Sequence, residues 1–306
     1  MLEKFPFCTP SEGDNYQGTA FLYATFLSSV CIFLTLTAIL GNSLILVALH
    51  KNTSLHPPSK LLLRCLTITD LCVGVIGQPL TVTANFSVLF ERWQLCLVTQ
   101  MLNQCFNGIF FAVSLLTITA ISVDRLLALL LRLRYRQIVT VKRVRALVIL
   151  LWLIPSVTGI VVSVLSSSLF YLHILEFVTV LTALIISTYS YTRIFLVIRR
   201  QKLQLQDGHG GHTERTRFCM SRYKKTVFNA LWVHLTLVTS YLPFVIISGL
   251  TIAQGLSSLS FYGQAWALIL VYFNSSLNPV LYCWRIKEIR QAVKETIRQF
   301  CTCFSS

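Results

Sequence analysis

The chain has 306 residues, of which 55% are hydrophobic and only 12% charged, a balance that excludes a soluble globular domain. Its formal charge of +15 raises nucleic-acid binding as a possibility. The basic residues fall in short segments between apolar runs with no reader motif, so no nucleic-acid partner is expected.

A bilayer core about 30 Å thick takes about 20 mostly apolar helical residues to cross. Seven stretches meet that need, over residues 21–49, 59–84, 98–130, 144–165, 171–198, 223–253 and 261–283. The predicted fold class is therefore an all-α membrane protein: a seven-transmembrane helix bundle with a short amphipathic eighth helix. Residues 1–20 form an N-terminal segment, 21–283 the bundle, and 284–306 the amphipathic helix and tail. No internal repeat of the transporter kind is evident.

The opening segment "MLEKFPFCTPSEGDNYQG" lacks the basic region and apolar core of a cleaved signal, so the first span is expected to act as its own insertion signal. Short cytoplasmic loops carry the excess of Lys and Arg. Placing the N-terminus outside leaves only Lys4 and Arg92 of the 26 basic residues on the outer face, and the reverse would expose nearly all of them. The inner charge then faces anionic lipid.

Acidic residues are scarce, and of 11 only Asp70, Asp124 and Glu176 fall within or at the edge of a span. An intramembrane carboxylate is costly and is a functional candidate by default. Asp70 lies mid-span in "LTITDLCVG" with no neutralising neighbour in sequence, whereas Asp124 adjoins Arg125 and reads equally as an interfacial pair. The polar segment after the fifth span includes "GHGGH", whose His209 and His212 read as solvated linker rather than metal ligands.

In the seventh span, "NSSLNPVLYCW", Asn274 and Asn278 share a helix face with Ser275 near them. Unsatisfied in hydrocarbon, these groups would cost several kcal/mol, so they require a polar partner. Pro279 removes a backbone hydrogen bond and kinks the helix. The amphipathic run "RIKEIRQAVKETIRQF" follows, and Cys301 and Cys303 behind it are either palmitoylation sites or free thiols. Cys31, Cys65, Cys72 and Cys105 read as small lipid-facing or packing residues.

Taken in order, "GNSLILVAL", "LTITDLCVG", "AISVDRLLAL", Trp152, "SYTRIF", "SYLP" and "NPVLY" resemble the motifs of rhodopsin-like G protein-coupled receptors. The segment "RLRYRQIVTVKR" is locally similar to the second cytoplasmic loop of melanocortin receptors. The resemblance implies a sodium pocket of Asp70, Ser114, Asn274, Ser275 and Asn278, with Asn42 nearby; a water-filled polar network is the alternative. It also implies an activation switch of Asp124, Arg125, Tyr191, Tyr241, Pro243, Asn278, Pro279 and Tyr282, in which Arg125 leaves Asp124 to meet the G protein. No other cofactor is implied.

The chain departs from the family pattern in several places. Leu126 stands where a tyrosine usually follows the Asp-Arg pair, Tyr241 where a tryptophan precedes the proline, and Ala183 where many relatives have proline. The base of the sixth span is the basic "RYKK" rather than an acidic clasp, so raised basal signalling is a plausible consequence. The usual disulfide is precluded because residues 166–172 contain no cysteine. A helix from Cys96 to Asp124 would measure about 42 Å, which places Cys96 in the outer loop, where it could pair with Cys8.

For the pocket, Asn107 occupies the position where aminergic receptors keep an aspartate, so a monoamine is disfavoured. Glu176 lies near the outer mouth, where it meets a cationic group on a ligand or on His173, or simply snorkels to water. A neutral or lipid-like ligand would instead use Phe106, Phe110, Tyr241, Phe244 and Tyr272. Asn85 in "NFS" is an outer sequon close to the bilayer.

Motifs of zinc proteases, phosphate-binding loops and nucleophile elbows are missing, and no enzyme is expected. The expected function is a plasma-membrane receptor, N-terminus extracellular, that converts binding of an extracellular ligand into activation of a heterotrimeric G protein. The alternatives are a constitutively active or heteromeric orphan receptor and, more remotely, an ion or solute transporter.

Overall fold

Apolar runs of this length leave backbone polar groups no partner in hydrocarbon except their own helix, and the computed structural model forms a helix on each of them. The backbone is described for residues 14–51, 56–165, 169–207, 214–255, 258–285 and 287–304, and side chains for 21–51, 56–131, 133–161, 174–200, 232, 234–255, 262–284 and 289–299.

The elements are α1 (Asp14–Lys51), α2 (Pro57–Cys72), a π-helical turn (Val73–Gly77), α3 (Gln78–Leu89), α4 (Trp93–Leu131), α5 (Tyr135–Ile138), α6 (Val141–Leu165), α7 (Leu169–Asp207), α8 (Glu214–Gln254), α9 (Ser258–Arg285) and α10 (Lys287–Phe304). Among the described residues no strand occurs. Six of the predicted spans are long and apolar enough to cross a membrane by composition alone. The seventh, α9, is diluted by Asn274, Ser275 and Asn278, which it buries. It packs between α1 and α8 and closes the ring.

In the middle stands α4, against α2, α3, α6 and α7. Because the outside is as apolar as the core, amphipathicity is inverted: Ile149, Leu153 and Val157 of α6 are exposed, while Asn42, Asp70, Ser114, Asn274 and Asn278 are buried. The apolar core has one cluster around Leu62, Leu115, Leu237 and Tyr241 and another around Cys31, Val73, Phe110 and Tyr272.

The π turn has a local cause. Pro79 lacks an N–H and its ring crowds the carbonyl four residues back, so the preceding helix widens and Gln78 N–H bonds Val73 O, five residues back. Against the ring of Pro279, only glycine fits on α1: a Cβ at Gly41 would lie 2.8 Å from Pro279 Cγ. On α10, Ile289, Val293 and Thr296 share one face and are buried. Lys51 Nζ donates to Gln299 Oε1 at 2.6 Å, tying α10 to the end of α1.

One expectation is corrected. Cys96 is not in a loop but in the first turn of α4, its N–H bonded to Arg92 O at 2.8 Å. A helix need not stop where hydrocarbon stops, and α4 runs for about 58 Å, well past a 30 Å core. Cys96 is fully buried and disulfide-bonded; its expected partner, Cys8, lies outside the described residues. Cys31, Cys65, Cys72 and Cys105 are free thiols, and Cys31 and Cys65 are buried in the packing.

Candidate functional site

Asp70 sits one turn before the π turn, fully buried. Its Oδ2 accepts from Asn278 Nδ2 at 2.7 Å and its Oδ1 from Ser114 Oγ at 3.3 Å. Ser275 reaches the same carboxyl. Asn42 Nδ2 donates to Ala38 O at 2.9 Å and to Ser275 O at 3.2 Å. Asn274, the fifth predicted ligand, is buried in the same span, and its Nδ2 has no partner among the described residues. Asn42 Oδ1 is likewise an unsatisfied buried acceptor. One carboxylate among hydroxyl and amide oxygens, with a spare acceptor, fits a small hard cation. Among the described residues no group of three or more His, Cys, Asp or Glu side chains is placed to hold a metal ion.

At one end of the bundle, Asp124 is the hub of a second cluster. Its Oδ2 accepts from Ser59 Oγ at 2.9 Å, and its Oδ1 from Tyr135 Oη at 2.6 Å. Arg125 Nη2 stands 3.7 Å from Asp124 Oδ2, with the arginine side chain 41% exposed and the aspartate 4%. Burial, and then the bond to Asp124, pushes the Tyr135 phenol above its ordinary range. Sequence reasoning missed Ser59 and Tyr135. The available signal was a lone tyrosine in a basic loop eleven residues past Asp124.

The remaining predicted switch residues are distributed along the bundle. Tyr191 packs with Leu126, Ile194 and Ile198 and lies against the His234 ring at 5.2 Å. Tyr282 is buried in the main core and Pro279 against α1. Pro243 lies inside α8, two residues beyond Tyr241. Tyr241 is fully buried, and its hydroxyl reaches Ser114 in the field of Asp70. The "RYKK" side chains, His173, Cys301, Cys303 and the "GHGGH" segment lie outside the described residues.

The predicted pocket residues separate into two groups. Glu176, Tyr241 and Phe244 line a cavity of about 910 Å³, counting the part open to the outside. Gln104, Phe111 and Thr158 line it too, and its walls are mainly apolar. The Glu176 carboxylate turns toward α4, its Oε1 3.5 Å from where a Cβ on Gly108 would stand. Asn107, Phe106, Phe110 and Tyr272 are not among the lining residues. Asn107 Nδ2 donates instead to Asn103 Oδ1 at 2.5 Å, and Tyr272 Oη is 2.5 Å from Thr81 Oγ1. Phe110 stacks with Phe106 at 5.9 Å and meets Trp152 edge-on at 6.4 Å. Asn85 lies within α3, where its Nδ2 donates to Ser28 Oγ of α1 at 3.3 Å.

A family model described as "7 transmembrane receptor (rhodopsin family)" matches residues 41–169 and 161–282. The chain is 26% identical to the adenosine receptor A3 of Canis lupus familiaris, over 95% of this chain and 96% of that receptor. It is 26% identical to melanocortin receptor 4 of Danio rerio, over 98% and 91%. It is 27% identical to lysophosphatidic acid receptor 3 of Homo sapiens, over 95% and 82%. The three names specify unlike ligands at nearly equal identity.

Proposed function

As the chain belongs to the rhodopsin family of seven-transmembrane receptors, which signal through G proteins rather than catalyse, we propose that its ligand occupies the cavity between Glu176 and Tyr241 and acts through the Asp70 cluster on Arg125. The observation that carries this reading is Tyr241, which lines the cavity and reaches Ser114, a direct partner of Asp70. A ligand pressing on that ring would bias the buried polar cluster without touching it. Coupling of this kind requires that the ligand contact the two global states differently.

In the resting state Asp70, Ser114, Asn274, Ser275 and Asn278 would hold a sodium ion, which would supply positive charge to the buried carboxylate. On activation Tyr191 and Tyr282 move inward, with Pro243 and Pro279 as the flexible points. Arg125 then leaves Asp124 to meet the heterotrimeric G protein. The long Arg125 to Asp124 contact and the arginine's exposure support easy release. They also favour a second reading, a receptor with high basal activity. The distribution of basic residues supports an extracellular N-terminus in a plasma membrane.

The test is nucleotide exchange by purified receptor on heterotrimeric G proteins, screened against candidate ligands. For an active ligand, Tyr241→Phe keeps the ring and removes the hydroxyl, so affinity should persist while maximal exchange falls. Equal maximal exchange in both forms would remove the relay.

A further inference from the structure

The first turns of α2 carry a polarity that the bundle interior does not use. Ser59 faces inward, its Oγ 2.9 Å from Asp124 Oδ2, and marks the depth of that cluster. Lys60, Arg64 and Ile68 follow at intervals of four residues, so they share one other face of the helix. That face is turned outward: Lys60 and Arg64 are half-buried and Ile68 is exposed.

Arg64 stands out by its depth. It lies five residues further into the span than Ser59, about 7.5 Å along the helix. A cation at membrane depth is costly and needs an opposite charge or a carbonyl to meet it. Arg64 Nη2 donates to Leu49 O at 3.3 Å, one of the last carbonyls of α1, which have no partner within their own helix. That bond uses one of five N–H donors. Among the described residues no carboxylate pairs with Arg64, and Lys60 is close enough to share its positive field. The stripe thus reads cation, cation, aliphatic from the end of the helix inward, the order in which a phospholipid presents head group, phosphate and chain.

We propose that this stripe binds an anionic phospholipid of the adjoining leaflet, with its phosphate on the Arg64 guanidinium, its head group toward Lys60 and an acyl chain along Ile68. The guanidinium fork matches phosphate oxygens in geometry as well as charge. A zwitterionic lipid would set its own ammonium against Lys60, so a net negative head group is preferred. Basic residues crowd this end of the bundle, and anionic lipid belongs to the leaflet that such residues face. The site is separate from the cavity and stands whatever ligand the cavity takes.

The test titrates purified receptor in detergent with dioleoyl phosphatidylserine or dioleoyl phosphatidylcholine and counts retained lipid by native mass spectrometry. Phosphatidylserine should be retained saturably and at lower concentration than phosphatidylcholine. Arg64→Gln should weaken that retention about fivefold, the contribution of one basic residue at a charged membrane surface. Lys60→Gln leaves the bond from Arg64 to Leu49 in place, should weaken retention similarly, and decides the matter if the first variant does not fold. Arg199→Gln removes an exposed charge on α7 and should change little. Equal losses from Arg199→Gln would show diffuse attraction in place of a site, and they would overturn the proposal, as would equal retention of the two lipids. Excess inorganic phosphate should leave the lipid bound; displacement would assign the stripe to a free anion and overturn the lipid.

Discussion

At the scale of single residues, the hydroxyl of Tyr135 carries more than its place in a basic loop suggests. It and Ser59 both donate to Asp124, so the carboxylate that holds Arg125 is itself held in place. Tyr135→Phe removes one charge-assisted bond worth about 1.5–3 kcal/mol. Part of that loss should appear as easier release of Arg125, and basal nucleotide exchange should rise several-fold at equal surface expression; unchanged basal exchange would make the bond merely structural. Arg125→Ala should have the opposite effect, removing most G protein activation while leaving expression and ligand binding near normal. Neither partner of Asp124 was legible in the sequence, because a contact across the turn at α5 depends on how that turn closes. Asp70 was legible, since an unneutralised carboxylate in an apolar run requires partners and α9 offered them at helical spacing.

At the scale of elements, the spans were readable because hydropathy and length decide them, and the ends were not. Hydropathy says nothing about where a helix stops once it leaves the hydrocarbon, which is why α4 begins at Trp93 and takes in Cys96. The π turn before Pro79 was also hidden, since the same proline permits a kink, a break or a widened turn. The contact of α1 with the Pro279 ring gives an element-level prediction. Gly41→Val places atoms where Pro279 already stands at 2.8 Å, and overpacking of this sort costs about 1–3 kcal/mol. The thermal midpoint of the purified receptor should fall by several degrees, whereas Ala112→Val, facing the cavity, should leave it near wild type. Equal midpoints for the two variants would show that α1 shifts away at little cost.

For the molecule as a whole, the inverted distribution of polarity sets the function. Lipid outside leaves no hydrophobic force to hold the helices together, so buried polar bonds and close packing do so; those bonds gather in two clusters, one on Asp70 and one on Asp124 beside Arg125. The cavity itself was invisible in sequence because a void belongs to the divergence of α6 from α7 and not to any residue. Glu176 was found as a candidate, but its inward direction became clear only from the Gly108 contact. The central claim is that Asp70 is the hub of the first cluster and would hold the resting state with a sodium ion. The most direct test measures basal nucleotide exchange as sodium replaces N-methylglucamine at constant ionic strength, for the wild-type receptor and for Asp70→Asn. Exchange should fall with sodium in the wild type and stay flat in the variant; a variant as sodium-sensitive as the wild type would contradict the claim.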